Sequence, residues 1–218
     1  MKVCGDSSVV ELPLFQGEDG GAIPTSPLQL LFRQISEKTL NNIVTEFHYA
    51  HRPVPVSWAF GAYFNNICIG VISYGKPASR SVCVGVCGKE NADRVYELNR
   101  LWMNDVCPKN SESRFIGWTL RILRAVKPSL ILVSYADTAQ KHLGVVYKAT
   151  GWIYTGLSDK RPSGDISIPG THSRHGRKNP EAVKIERTQK HRYVFFIDSQ
   201  DKLKLRWPVL PYASGDSR

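Results

Sequence analysis

Two runs rich in β-branched and aromatic residues, Val56–Phe64 and Ile67–Tyr74, are separated only by Asn65-Asn66. So short a break makes an antiparallel hairpin. The chain reverses in two residues only where both take positive φ, a conformation asparagine tolerates. A sheet is therefore required, and the flanking segments decide its kind. Upstream, Leu28–Ile35 reads as a first strand, or as a helix capped at Ser26-Pro27. Ser36 caps a helix from about Glu37, with Leu40, Ile43, Val44 and Phe47 at the spacing of one buried helical face. Pro53 biases its predecessor out of helical geometry and ends that helix around His48-Tyr49.

Downstream of the hairpin comes an irregular stretch rich in Gly, Ser and Cys, then a strand over Val95–Met103. A helix starting at Ser111 or Ser113 runs through Phe115, Leu120, Leu123 and Val126 and stops at Pro128. Leu130–Tyr135 reads as a buried strand, about Gln140–Thr150 as a helix stopped by Gly151, and Trp152–Thr155 as a strand. Residues 157–188 are polar, basic and rich in Gly and Pro, which reads as a long loop before a strand over Tyr193–Ile197. Strands interleaved with helices in this way make an α/β domain, a mixed central sheet with helices on its faces. The expected organisation is a loose N-terminal arm over residues 1–26, a core over 27–156, a basic loop insertion over 157–190, and a C-terminal strand and tail over 191–218.

Hydrophobic residues make up 42% of the chain, too many for a disordered one. No apolar stretch approaches the roughly 18 residues needed to span a bilayer, so no membrane partner is expected. The five cysteines form no C-x-x-C pair and the start lacks a secretory apolar core, which together read as reduced cytosolic thiols. Charge says more. The net formal charge is +10, and from Leu157 onward 13 basic residues face 7 acidic ones. Concentrated basic charge fits a polyanion such as double-stranded DNA, or simply a well-hydrated surface.

Several residue types could carry chemistry. His48 and Tyr49 stand where a helix runs out, so their side chains are free to exchange protons or to stack on a base, or else to cap the core. Asp137 follows a buried strand at the end where α/β sheets place ligands, and it would equally serve as an N-cap. On the strand Val95–Met103, alternation puts Glu97, Asn99 and Leu101 on one side and Leu98 and Arg100 on the other, making Glu97 a candidate base. Metal-ligand spacings are incomplete. His48 and His51 lie one helical turn apart, Cys83 and Cys87 share one face of a strand, and His172 and His175 form H-x-x-H.

The segment Tyr147-Lys148-Ala149-Thr150-Gly151-Trp152, followed by Gly156, resembles the Y-x-x-x-G-F/W-x-x-x-G element of the N-acetyltransferase (GNAT) superfamily. A finer resemblance runs through His48-Tyr49 with Arg52, then Glu97-Leu98-Asn99-Arg100-Leu101, Ser113-Arg114, Ser134-Tyr135-Ala136-Asp137, His142-x-Gly144 and Tyr147. In that order these motifs resemble the phage Mom DNA-modification family over about residues 37–157, and again weakly at Lys190-His191-Arg192-Tyr193.

The resemblance implies a GNAT-like fold. It also implies an enzyme that carbamoylmethylates the exocyclic amine of adenine in phage DNA, protecting it from restriction in the cytoplasm of the infected bacterial host. It casts His48, Tyr49, Glu97, Asp137 and Tyr147 as catalytic, with Tyr147 as general acid. Ser113, Arg114 and Gly117 become donor-binding residues and Arg52 a DNA contact; the basic segment lies outside the resemblance, and from its charge, with DNA as substrate, Arg174, Arg177 and Lys178 are expected to contact phosphates. Paired adenine must be flipped out of the stack, and Tyr49, Trp58, Tyr63 or Tyr135 could hold it.

The resemblance leaves the cofactor open among iron(II), a coenzyme A-type donor and an activated glycine, and leaves the oligomeric state open, a dimer included. One departure stands out. The superfamily's pyrophosphate-binding pattern Q/R-x-x-G-x-G/A appears as Arg114-Phe115-Ile116-Gly117-Trp118-Thr119, with Thr in the last place. Two other functions fit the same residues: an ordinary acetyltransferase acting on a protein or small amine, and a non-catalytic DNA-binding protein on the same scaffold.

Overall fold

The computed structural model of the protein describes residues 30–159, 165–167, 183–185 and 188–213. The hairpin forms as expected: β2 (Trp58–Phe64) and β3 (Ile67–Gly75) pair antiparallel, and Asn65 and Asn66 both take positive φ. Before it lie β1 (Leu31–Gln34) and α1 (Glu37–Phe47), the helix capped by Ser36, which accepts from the Thr39 amide at 3.1 Å. After it come α2 (Arg80–Cys87), β4 (Val95–Met103), α3 (Ser111–Val126), β5 (Ile131–Asp137), α4 (Val145–Ala149) and β6 (Ile153–Leu157). Next, β7 (Asp165–Ser167) and β8 (Val183–Ile185) pair with each other, inside the stretch expected to be loop. Finally β9 (Lys190–Phe196) returns to the main sheet.

That sheet is mixed, in the order β1-β2-β3-β4-β5-β9-β6, with β4 and β5 parallel and the other pairs antiparallel. Its faces are told apart by neighbouring residues. Val71 packs with Leu40, Ile43 and Val44 of α1, whereas Ile72 packs with Phe115, Ile116 and Leu123 of α3. On β5, Ile131 and Val133 meet Cys83, Val86 and Cys87 of α2, while Leu132 joins the α3 cluster. Helices α1 and α2 therefore cover one face, and α3 and α4 the other.

Three local expectations are corrected. Cys83 and Cys87 lie on a helix rather than a strand: Ser79 caps α2, and Cys83, Val86 and Cys87 form its buried stripe. The helix over 140–150 shortens to α4, because Lys141 and Gly144 take left-handed conformations and break it. A Cβ at Gly144 would strike the Tyr193 ring at 2.5 Å, so close packing as well as φ demands glycine there.

The third correction shapes the site. Tyr74 pairs with Leu98, but Ser73 pairs with Arg100, so Asn99 is an extra residue, a β-bulge. Paired residues of an antiparallel ladder share a face. Glu97 and Arg100 therefore stand on the same side as Gly75, Ser73 and Val71, the α1 and α2 side, where strict alternation had separated them. Asn99 is fixed by both ends of its amide, accepting from Ser73 Oγ at 2.6 Å and donating to the Pro55 carbonyl at 3.0 Å. That strap comes so close that a Cβ at Gly75 would lie 2.1 Å from the Pro55 oxygen. Gly75→Ala is expected to cost about 1–3 kcal/mol through this overlap. Urea denaturation would show it as a lowered midpoint, and an unchanged midpoint would mean the strap yields freely.

Candidate active site

The parallel ladder between β4 and β5 runs from Val95/Ile131 to Leu98/Ser134 and stops there, although both strands continue. Chemistry-bearing side chains gather around this split, at the C-terminal ends of two parallel strands, where ligands of open α/β sheets bind.

From the α1 side come His48 and Tyr49. His48 is 5% exposed, and its Nδ1 accepts the Ala50 amide at 3.0 Å. Burial, reinforced by the positive charge of Arg100, lowers its pKa from the usual value to about 3. Its ring is therefore neutral at physiological pH and carries its proton on Nε2, so it serves as a hydrogen-bond donor rather than a group that gains a proton near neutrality. Tyr49 stacks on His48 with ring centroids 4.3 Å apart, meets the His142 ring edge-on at 6.1 Å, and remains 47% exposed.

Glu97 lies on the same face. Burial pushes its carboxyl up to about 7, against the opposing charges of Arg100 and Lys190. Among the described residues no hydrogen bond or ion pair reaches it. Arg100 donates to the Asn99 carbonyl at 2.7 Å and to the Arg52 carbonyl at 3.3 Å. The Arg52 side chain itself is exposed.

Across the split, Tyr147 of α4 is buried, and its hydroxyl lies 2.8 Å from Ser134 Oγ, which in turn lies 2.9 Å from the Leu98 carbonyl oxygen. That carbonyl can only accept. When Ser134 donates to it, Tyr147 must supply the proton between the two hydroxyls. Burial raises the Tyr147 pKa above the usual phenol range. Asp137 caps the turn after β5 through the Ala139 amide, accepts from Thr188 Oγ1, and pairs with Lys190 at 2.9 Å. Burial pushes its carboxyl up, but Lys190 and these donors together hold it below the usual value.

Ser113, Arg114 and Gly117 line a groove of about 580 Å³ on the α3 face, together with Arg121 and Thr150. The segment resembling a pyrophosphate-binding loop is not a loop. Helix α3 already begins at Ser111, and the Arg114 amide bonds the Asn110 carbonyl at 3.0 Å. Backbone amides from Arg114 onward are thus engaged within the helix and cannot wrap a pyrophosphate. Thr119, the departing residue, is buried and bonded to Tyr74 and to the Ile116 carbonyl, so it does not crowd the groove. What the groove offers an anion is the first turn of α3, where the Glu112 and Ser113 amides have no helical partner, together with the Arg114 and Arg121 side chains.

For a metal, the ligand sets remain incomplete. His51 Nδ1 lies 3.0 Å from the Thr45 carbonyl, and among the described residues no three His, Cys, Asp or Glu side chains are disposed to hold an ion. His172, His175, Arg174, Arg177 and Lys178 lie outside the described residues. Among the described residues, no helix is long and apolar enough to cross a membrane.

A model of the Mom protein family matches residues 29–214, reaching well beyond the motifs and through the basic segment. The chain belongs to the Mom protein family. The methylcarbamoylase Mom of Escherichia phage Mu is 25% identical to it over 94% of this chain and 92% of the phage Mu protein. Solved structures that resemble this Mom-family chain include acetyltransferases. Ribosomal-protein-S5-alanine acetyltransferase from Vibrio fischeri gives a TM-score of 0.50 at 11% identity, covering 78% of this chain and 94% of that one. The acetyltransferase-type protein yncA from Salmonella typhimurium, solved with acetyl-CoA, gives 0.50 at 11% identity, covering 87% and 99%. At such identities they show the fold alone: this Mom-family chain has a GNAT fold.

His48, Tyr49, Glu97 and Tyr147 are thus brought around one split, and Asp137 reaches it through Lys190. Sequence reasoning assigned no role to Arg100, Ser134 or Arg121, and counted Lys190 only among the basic residues expected to meet DNA phosphates. The bulge at Asn99 hid the first. The others needed the register of β9 on β5 and the α3 groove.

Proposed function

We propose that the chain is a transferase that carbamoylmethylates the exocyclic amine of adenine in double-stranded phage DNA, inside the infected host, so that restriction enzymes no longer recognise it. Glu97 carries this reading: a carboxyl held near neutrality, free of an ion-pair partner among the described residues, at the split of an acyltransferase-type sheet in a Mom-family chain. Adenine's amine is a poor nucleophile because its lone pair is delocalised into the ring. It needs both a base and a positioned electrophile. Of the aromatics that could hold a flipped base, Tyr63 is buried against α1, Trp58 packs on Tyr96, and Tyr135 joins the α2 cluster. Tyr49 is half-exposed beside the site and takes that role.

In this reading Glu97 accepts a proton from adenine N6 as N6 attacks the carbonyl carbon of a glycyl ester or thioester. The bond from that carbon to its carrier breaks, and the carrier leaves with a proton. His48 donates from Nε2 to the developing oxyanion, and Tyr147 hands its phenol proton to the leaving carrier and takes back the proton that Glu97 removed from N6. A glycyl group (CO-CH2-NH2) is an isomer of carbamoylmethyl (CH2-CO-NH2), so the conversion needs no oxidant or reductant. The glycyl amine bonds to purine C6 and the original C6–N6 bond breaks. The test is to feed expressing cells glycine labelled at both carbons and nitrogen, then fragment nucleosides from plasmid DNA. An adduct on adenine carrying all three labelled atoms is expected. No adduct overturns the reaction, and an unlabelled adduct from an enriched glycine pool overturns the donor.

DNA binding is assigned to Arg52 and the basic segment. Replacing Arg174, Arg177 and Lys178 with Ala is expected to weaken binding and to flatten its dependence on log salt by about one unit for each phosphate no longer neutralised. An unchanged slope in filter binding would place the DNA surface elsewhere.

A further inference from the structure

Arg100 is a costly residue unless it has a task. Its guanidinium is half-buried, and among the described residues it bonds only backbone carbonyls, of Asn99 and Arg52, while its Nε is buried with no hydrogen-bond partner. A buried donor left unmade costs stability, and a buried cation without a carboxylate costs more. The bulge at Asn99 nonetheless aims it at the face that holds Glu97. The Arg52 carbonyl belongs to the turn that presents His48 and Tyr49. That turn is held elsewhere by Asn41, whose side chain bonds both the amide and the carbonyl of Val54, and by Asn99 on Pro55.

We propose that Arg100 is a positioning residue for the reaction, tying the turn of His48 and Tyr49 to the strand of Glu97 and placing a fixed positive charge beside that carboxyl. The proposal rests on the reading of Glu97 as base. The guanidinium reaches the two carbonyls from two separate nitrogens held in one rigid plane, a spacing that the single nitrogen of an ammonium group does not reproduce. The charged and titratable groups that face Glu97 are Arg100 on β4, Lys190 on β9, Cys83 on α2 and Tyr147 on α4. The largest opposing influence on the carboxyl is Arg100, so its removal should be felt most.

The experiment compares wild type, Arg100→Lys and Arg100→Met by two readouts. The first is the Glu97 carboxyl midpoint from 13C NMR of glutamate-labelled protein without DNA, with Glu97→Gln to identify the signal. The second is the pH profile of single-turnover adenine modification. Arg100→Met is expected to raise the Glu97 midpoint, and with it the acid limb of the profile, by about one pH unit. Arg100→Lys is expected to keep the midpoint near wild type while slowing the reaction about tenfold, because the charge stays and the fork is lost. If Arg100→Met fails to fold, the Lys variant alone decides. A wild-type rate in Arg100→Lys, or an unmoved midpoint in folded Arg100→Met, overturns the inference. Absence of adenine modification by wild type would overturn the proposed reaction instead, and the NMR midpoints would still judge Arg100.

Discussion

Glu97→Gln is expected to lower the rate of adenine modification by about 10²–10⁴-fold while leaving the protein folded, the range contributed by a positioned general base. The variant keeps the shape of the side chain and removes only its capacity to take a proton. No described hydrogen bond or ion pair ends on Glu97, so nothing in the fold is broken by the change. In wild type the rate should rise with pH through about 7, where the carboxyl loses its proton. What activity remains in the variant should lack that rise. Quantifying modified nucleoside after a single turnover, from pH 5.5 to 8.5, checks both features. Modification at the wild-type level, or a variant that retains the same acid limb, would remove Glu97 from the chemistry.

Most of the scaffold was legible in the chain, because its main elements obey strong local rules. Asn65-Asn66 specifies a hairpin through φ alone, and the stripe Leu40, Ile43, Val44 specifies which side of α1 is buried. Features set by tertiary contact were not legible. Helix α2 is built from Val and Cys, residues with better strand propensity, and its form comes from packing Cys83, Val86 and Cys87 onto β4, β5 and β9. The bulge is subtler still. Nothing in Glu97-Leu98-Asn99-Arg100 announces an extra residue, and the Ser73 and Pro55 groups that fix Asn99 are remote in sequence. One unread insertion then reverses the facing of every later residue, which is why Arg100 was read away from Glu97. The motifs located the site correctly at the level of elements; only the register could say which side chains share a face.

The same two groups that frame the chemistry should set opposing pH dependences of stability. His48 has a folded pKa of about 3 against 6.5 for the unfolded chain, so the unfolded state binds the proton first as pH falls. Its contribution is full above pH 6.5 and is lost progressively toward pH 3. Glu97 behaves inversely, at about 7 folded against 4.5 unfolded. The folded state holds that proton longer, and stability is lost as pH rises from 4.5 to 7. Each group alone gives a slope of about 1.4 kcal/mol per pH unit between its two pKa values, with opposite sign. Between pH 4.5 and 6.5 both operate, and they should nearly cancel. Glu97→Gln removes the falling slope, so its stability relative to wild type should grow by about 2–3 kcal/mol across that interval. His48→Gln removes the rising slope, so its relative stability should drop by a similar amount. The double variant should run parallel to wild type. Every other titrating group contributes alike to all four proteins, so the differences isolate this pair. Urea unfolding at pH 4.5, 5.5 and 6.5 measures them directly. Difference curves that stay flat for either single variant would mean that the group titrates in the folded protein as it does in the unfolded chain, and the buried pair at the split would lose its physical basis.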